Sequence, residues 1–227
     1  MTRPLTPSRF LAALLGCVAL APPAFALCTS EGVQQPKAVL ERFVNADCAD
    51  CWSDPATPRA APGTLALDWV LPGRKGDDAP LAAVAIDEAL DRMYEVKLAS
   101  PARSGSVTRP REGPAVRLRL AHGEAYNDYI GTSMELKEPG RERWNAWLLL
   151  VEKLPAGLEG SPVPRNLVRN VFRPEWGRVM SRPRDLVAED RAMQIHEGTR
   201  PDRLRLVAVL EDGHGVIRAI TQTECSP

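Results

Sequence analysis

Cys48 and Cys51, in the run Cys48-Ala49-Asp50-Cys51, are the residues of this chain best spaced to do chemistry. Two intervening residues let both sulfurs meet in a small ring, so one thiolate can attack a partner's disulfide while the other resolves the mixed intermediate. In that reading Cys48 is the nucleophile, Cys51 is the resolver, and the partner is another exported protein. The same spacing also serves a structural disulfide inside a non-catalytic binding or scaffold module, and the neighbouring residues favour that use. Pro55, Pro58 and Pro62 follow closely and shorten any helix whose N-terminal dipole would stabilise a thiolate. Asp47 and Asp50 add negative charge beside the sulfurs, which disfavours a second negative charge there.

The remaining cysteines take their meaning from the start of the chain. Arg3 and Arg9 precede an apolar stretch over residues 10–21, followed by Pro22-Pro23 and the small-residue exit Ala24-Phe25-Ala26. Positive start, apolar centre and A-x-A exit read as a signal peptide over residues 1–26 and a periplasmic or secreted destination. Leu14-Leu15-Gly16 before Cys17 offers a lipoprotein alternative, but only a short apolar run precedes it and a complete cleavage site lies downstream. Once Cys17 leaves with the leader, four of the five cysteines remain, and an even count in an oxidising compartment reads as two disulfides. Three pairings are open. Proximity joins Cys48 to Cys51, which leaves Cys28 and Cys225, near the two ends of the processed chain, for each other.

Composition narrows the partners. The chain has 227 residues, 44% hydrophobic and 26% charged, which excludes disordered and fibrous classes. Basic and acidic residues number 29 each, so the electrostatic footprint of a nucleic-acid binder is missing. Loss of Arg3 and Arg9 with the leader changes the net charge only to −2. Beyond the leader no apolar run is long enough to span a membrane. The three histidines, His122, His196 and His214, are scattered with no cysteine at ligand spacing, so no metal site is read. No nucleotide, dinucleotide or hydrolase motif implies a cofactor.

Several elements must position these residues. Residues 38–44 and 64–70 read as strands, and 81–98 as a helix with Ile86, Leu90, Met93 and Tyr94 on one face. Residues 101–114, rich in Pro, Gly, Ser and Arg, read as a linker. Alternation then suggests strands at 116–120, 144–151 and 166–172, and a hairpin pairing 204–210 with 216–221 through Asp212, Gly213 and Gly215. In this half only 184–196 looks helical. Asp68 and Asp87 are candidate proton acceptors for the dithiol, or plain solvated acids. Arg165, Arg169, Arg173, Arg178, Arg182 and Arg184 form either a dock for an acidic partner or a solvated face. Trp144 and Trp147 read as core.

The arrangement resembles a secreted thioredoxin-like family whose domain is catalogued only as one of unknown function, number twelve twenty-three. The likeness rests on residues 39–51 ending in the C-x-x-C, on 65–80, and in the tail on 146–153, Arg165-Asn-Leu-Val-Arg-Asn-Val-Phe172 and 204–220. It implies an α/β plus all-β chain, with a degenerate thioredoxin-like domain over residues 27–112 and a β-sandwich-like domain over 113–227. It implies no established reaction. The family places a proline, often cis, opposite the dithiol, for which Pro101, Pro110 and Pro114 are the candidates.

Overall fold

Strand-forming segments dominate the sequence, and the computed structural model is mostly β, with 49% of the described residues in strands and 13% in helices. The structure describes residues 28–114, 116–176 and 184–225. The leader read over residues 1–26, with Cys17, lies outside the described residues, as do Arg178 and Arg182. The strands are β1 (Cys28–Thr29), β2 (Ala38–Asn45), β3 (Thr64–Leu71), β4 (Ser104–Pro110), β5 (Leu118–Tyr126), β6 (Tyr129–Gly140), β7 (Trp144–Leu154), β8 (Arg165–Phe172), β9 (Arg184–Gln194), β10 (Leu204–Asp212), β11 (Ile217–Gln222) and β12 (Glu224–Cys225). The α-helices among the described residues are α1 (Ala49–Trp52) and α2 (Glu88–Glu95).

These strands make two sheets, a five-stranded one in the order β12-β1-β5-β6-β9 and a seven-stranded one in the order β11-β10-β7-β8-β3-β2-β4. Strands β2 and β3 run parallel from Ala38 opposite Thr64 to Asn45 opposite Leu71, while β7, β10 and β11 are antiparallel. Both faces of the seven-stranded sheet are apolar at its centre, so its strands read as near-continuous apolar runs. On one face Leu148 and Leu150 of β7 and Leu206 and Leu210 of β10 meet Leu120, Met134 and Leu136 of the five-stranded sheet. On the other, Phe43, Leu67, Trp69, Trp147 and Leu149 pack beneath Ala89 and Met93 of α2.

The thioredoxin-like α/β expectation is overturned by this architecture. Such a fold needs helices long enough to cover both sheet faces. Here the prolines after Cys51 leave α1 four residues long, and α2 has eight. A second sheet does the covering instead, and the seven-stranded sheet draws strands from both sides of residue 112. The helix read over 81–98 shrinks to α2, preceded by a 3-10 turn at Ala82–Val84. The linker reading of 101–114 fails because Ser104–Pro110 pairs along β2 as an edge strand. The helical reading of 184–196 fails as well, for this segment is β9, antiparallel to β6. Among the described residues no helix is long and apolar enough to cross a membrane.

Candidate functional site

Cys48 and Cys51 are joined in a disulfide where β2 runs into α1. Cys48 stands at the N-cap, its N–H donating to the Asn45 carbonyl at 2.9 Å, and Cys51 donates back to the Cys48 carbonyl at 3.2 Å. Cys51 is 2% and Cys48 9% exposed, and both pack against Val44 with Leu81 over them. Asp47 anchors the turn that follows β3. Its carboxylate accepts the N–H groups of Arg74 at 2.9 Å and Lys75 at 3.2 Å. Gly73 permits that approach, because a Cβ there would stand 2.2 Å from Asp47 Oδ1. No described peptide bond is cis, Pro101, Pro110 and Pro114 included.

The acid read as a proton acceptor for the dithiol has other work. Asp68, 1% exposed, accepts from Arg42 Nη2 at 2.7 Å and from Arg165 Nη1 at 2.6 Å. The second guanidinium also lies 4.2 Å over the Trp52 ring and donates to the Trp52 carbonyl at 2.7 Å, clamping the end of α1. Trp52 Nε1 donates to the Glu159 carbonyl at 2.9 Å. Asp87 is exposed at the start of α2 and makes no capping hydrogen bond there.

Arg165 and Arg169 are buried in internal pairings, so neither the docking face nor the solvated face describes them. Arg173 and Arg92 instead flank Trp147, at 4.2 and 5.0 Å from its ring. Arg92 also bridges the buried Glu41 at 2.6 Å and Glu211 at 3.0 Å, and these carboxylates raise its pKa against the opposing effect of burial. Arg184 lies in β9. Trp144 and Trp147 are core, 5% and 0% exposed.

A second cysteine centre comes from strand register rather than sequence spacing. Cys28 in β1 stands opposite Cys225 in β12 on one side and opposite His122 in β5 on the other. The two cysteines form a disulfide that spans 197 residues of sequence. One nitrogen of the His122 ring and both sulfurs lie within 4.8 Å of one another. His122 is 4% exposed, its Nδ1 lies 2.9 Å from the Gly123 carbonyl oxygen, and its Nε2 has no hydrogen-bond partner. A carbonyl can only accept, so Nδ1 carries the proton and Nε2 the free lone pair. Burial holds this imidazole below the usual histidine pKa, with Arg205 adding to the effect. Linear spacing carried no sign of the cluster, since the ligand atoms come from positions 28, 122 and 225.

The other histidines stand apart from the cysteines. His196 lines a cavity of about 620 Å³ with Tyr126, Asn127, Asp128 and Glu197, and His214 sits in the β10–β11 turn. No cysteine or serine lines that cavity.

The chain matches no known protein family and no curated protein. A solved structure of an Agrobacterium tumefaciens protein from a structural genomics programme is similar at 11% identity and a TM-score of 0.45, covering 85% of this chain and 94% of that one.

Proposed function

We propose that this protein is an exported, non-catalytic binding or scaffold module in which the C-x-x-C is a local staple. The observation that carries the reading is the seating of the Cys48–Cys51 disulfide, with Cys51 2% and Cys48 9% exposed beneath Leu81. Exchange requires an incoming thiolate to reach one sulfur along the S–S axis, and a buried disulfide denies that approach. A four-residue helix also offers little dipole to stabilise a departing Cys48 thiolate. Export is supported by two disulfides, which persist in oxidising compartments, and by the leader-like start of the sequence.

The deciding measurement is the reduction potential of the Cys48–Cys51 pair. A value below about −300 mV is expected of a staple, whereas dithiol oxidoreductases fall between about −120 and −270 mV. The protein should also fail to accelerate insulin reduction by a dithiol. Catalysis of that reaction, lost in Cys48→Ser, would overturn the proposal in favour of exchange chemistry.

A further inference from the structure

We propose that Cys28, Cys225 and His122 form a redox-gated metal site: when their disulfide is reduced, the two thiolates and the imidazole bind a thiophilic d10 cation, Zn²⁺ or Cu⁺. The inference is independent of what the Cys48–Cys51 pair does.

Three observations converge on it. The donor atoms are already gathered, both sulfurs and a ring nitrogen lying within 4.8 Å of one another across three adjacent strands. Nε2 of His122 is buried with no hydrogen-bond partner, an uncommon state for a polar atom in a folded interior and one that a metal ion would satisfy. Nδ1 is fixed on the Gly123 carbonyl, and ligating histidines characteristically anchor their second nitrogen in this way. Two thiolates and one imidazole suit the soft d10 ions, Cu⁺ with three ligands or Zn²⁺ with a water as its fourth.

The chemistry balances with a small dithiol as reductant. The dithiol is oxidised to its cyclic disulfide, and its two electrons and two protons convert Cys28–S–S–Cys225 to two thiols. The cation then replaces both thiol protons, which pass to solvent, and two S–metal bonds re-join β1 to β12. The pair therefore has two ways of holding the strands together, covalent when oxidised and metal-bridged when reduced.

The test uses the full chain, reduced with dithiothreitol and desalted without oxygen, then titrated with Zn²⁺, Cu⁺ or the spectroscopic probe Co²⁺ against a competing chelator. The expected result is an equivalent of bound metal that depends on His122, with a thiolate-to-cobalt charge-transfer band. His122→Ala should weaken that binding at least tenfold, and the oxidised chain should lack it. The reduced Cys48→Ser/Cys51→Ser chain should keep one equivalent. Uptake unchanged in His122→Ala, no uptake by the reduced chain, or uptake lost in the double-serine chain while far-UV circular dichroism stays native would each overturn the proposal. If the double-serine chain does not fold, the His122→Ala comparison in the natural-cysteine chain decides. If reduction loosens the fold, metal-driven recovery of circular dichroism that requires His122 supports the site, and recovery without it overturns the site.

Discussion

Burial gives single side chains in this protein consequences that their types alone do not. Burial holds the His122 imidazole below the usual histidine pKa inside the fold, whereas in the unfolded chain it titrates near the ordinary value of about 6.5. Below that pH the unfolded state gains a proton that the folded state does not. The contribution is therefore fully present above about pH 6.5 and is lost as pH falls toward the lower folded value. Urea unfolding across that window should show stability declining with acid, and His122→Gln should flatten the decline; parallel curves would refute this. Asp68 shows the same dependence on burial for an ion pair. Asp68→Asn strands two buried guanidiniums, those of Arg42 and Arg165, at an expected cost of about 3–5 kcal/mol in equilibrium unfolding. Glu138→Gln removes the partner of Arg117 at a fully solvated pair and should leave the unfolding midpoint where it was.

At the scale of elements, pairing overrides composition. β4 carries Ser, Gly, Arg and Pro, yet it runs along β2 from Val44 opposite Ser104 to Ala38 opposite Pro110. Trace protease should therefore spare Ser104–Pro110 in the oxidised protein, and early cleavage there would mean that the edge strand is not held. Strands β2, β3, β7, β8, β10 and β11 were legible in the sequence because their apolar residues are continuous or alternate cleanly. β9 was not. Val187, Glu189, Arg191 and Met193 share one face of the strand, but only Val187 and Met193 are buried, Glu189 being half-buried and Arg191 exposed, and the two charges break the period-two pattern. The structure accommodates them with aromatic partners: Trp176 Nε1 donates to Glu189 at 3.2 Å, and the Arg191 guanidinium lies 3.6 Å over Phe172. Such partners are invisible to any local window. The same holds for the site residues. The adjacent cysteines could be paired by inspection, whereas the place of His122 beside Cys28 depends on a β1–β5 register that no short segment encodes.

For the whole molecule, loop length ranks the two disulfides. Closing the 197-residue separation between Cys28 and Cys225 removes about 5 kcal/mol of unfolded-state entropy in the chain-entropy model, while closing the three-residue separation between Cys48 and Cys51 removes only about 1.5 kcal/mol. Cys28→Ser/Cys225→Ser should accordingly lose about 2–5 kcal/mol in chemical denaturation, and Cys48→Ser/Cys51→Ser markedly less. The reverse order would show that native-state packing, not chain entropy, governs these bridges. The thioredoxin-like expectation failed at this scale too. The parallel β2–β3 pair with a C-x-x-C between its strands is present, but the layer of helices it implied is replaced by a sheet built largely from the later half of the chain.

The Cys28–Cys225 rung also determines how the molecule answers to force. Its sulfurs tie together the first and last strands of the described residues, so tension applied at residues 28 and 225 passes through one covalent link and bypasses both sheets. An oxidised molecule pulled from these points in an optical trap should yield almost no extension. After reduction the same pull should release a tether of roughly 650–700 Å, the contour of the 197 residues that had been shunted out of the load path.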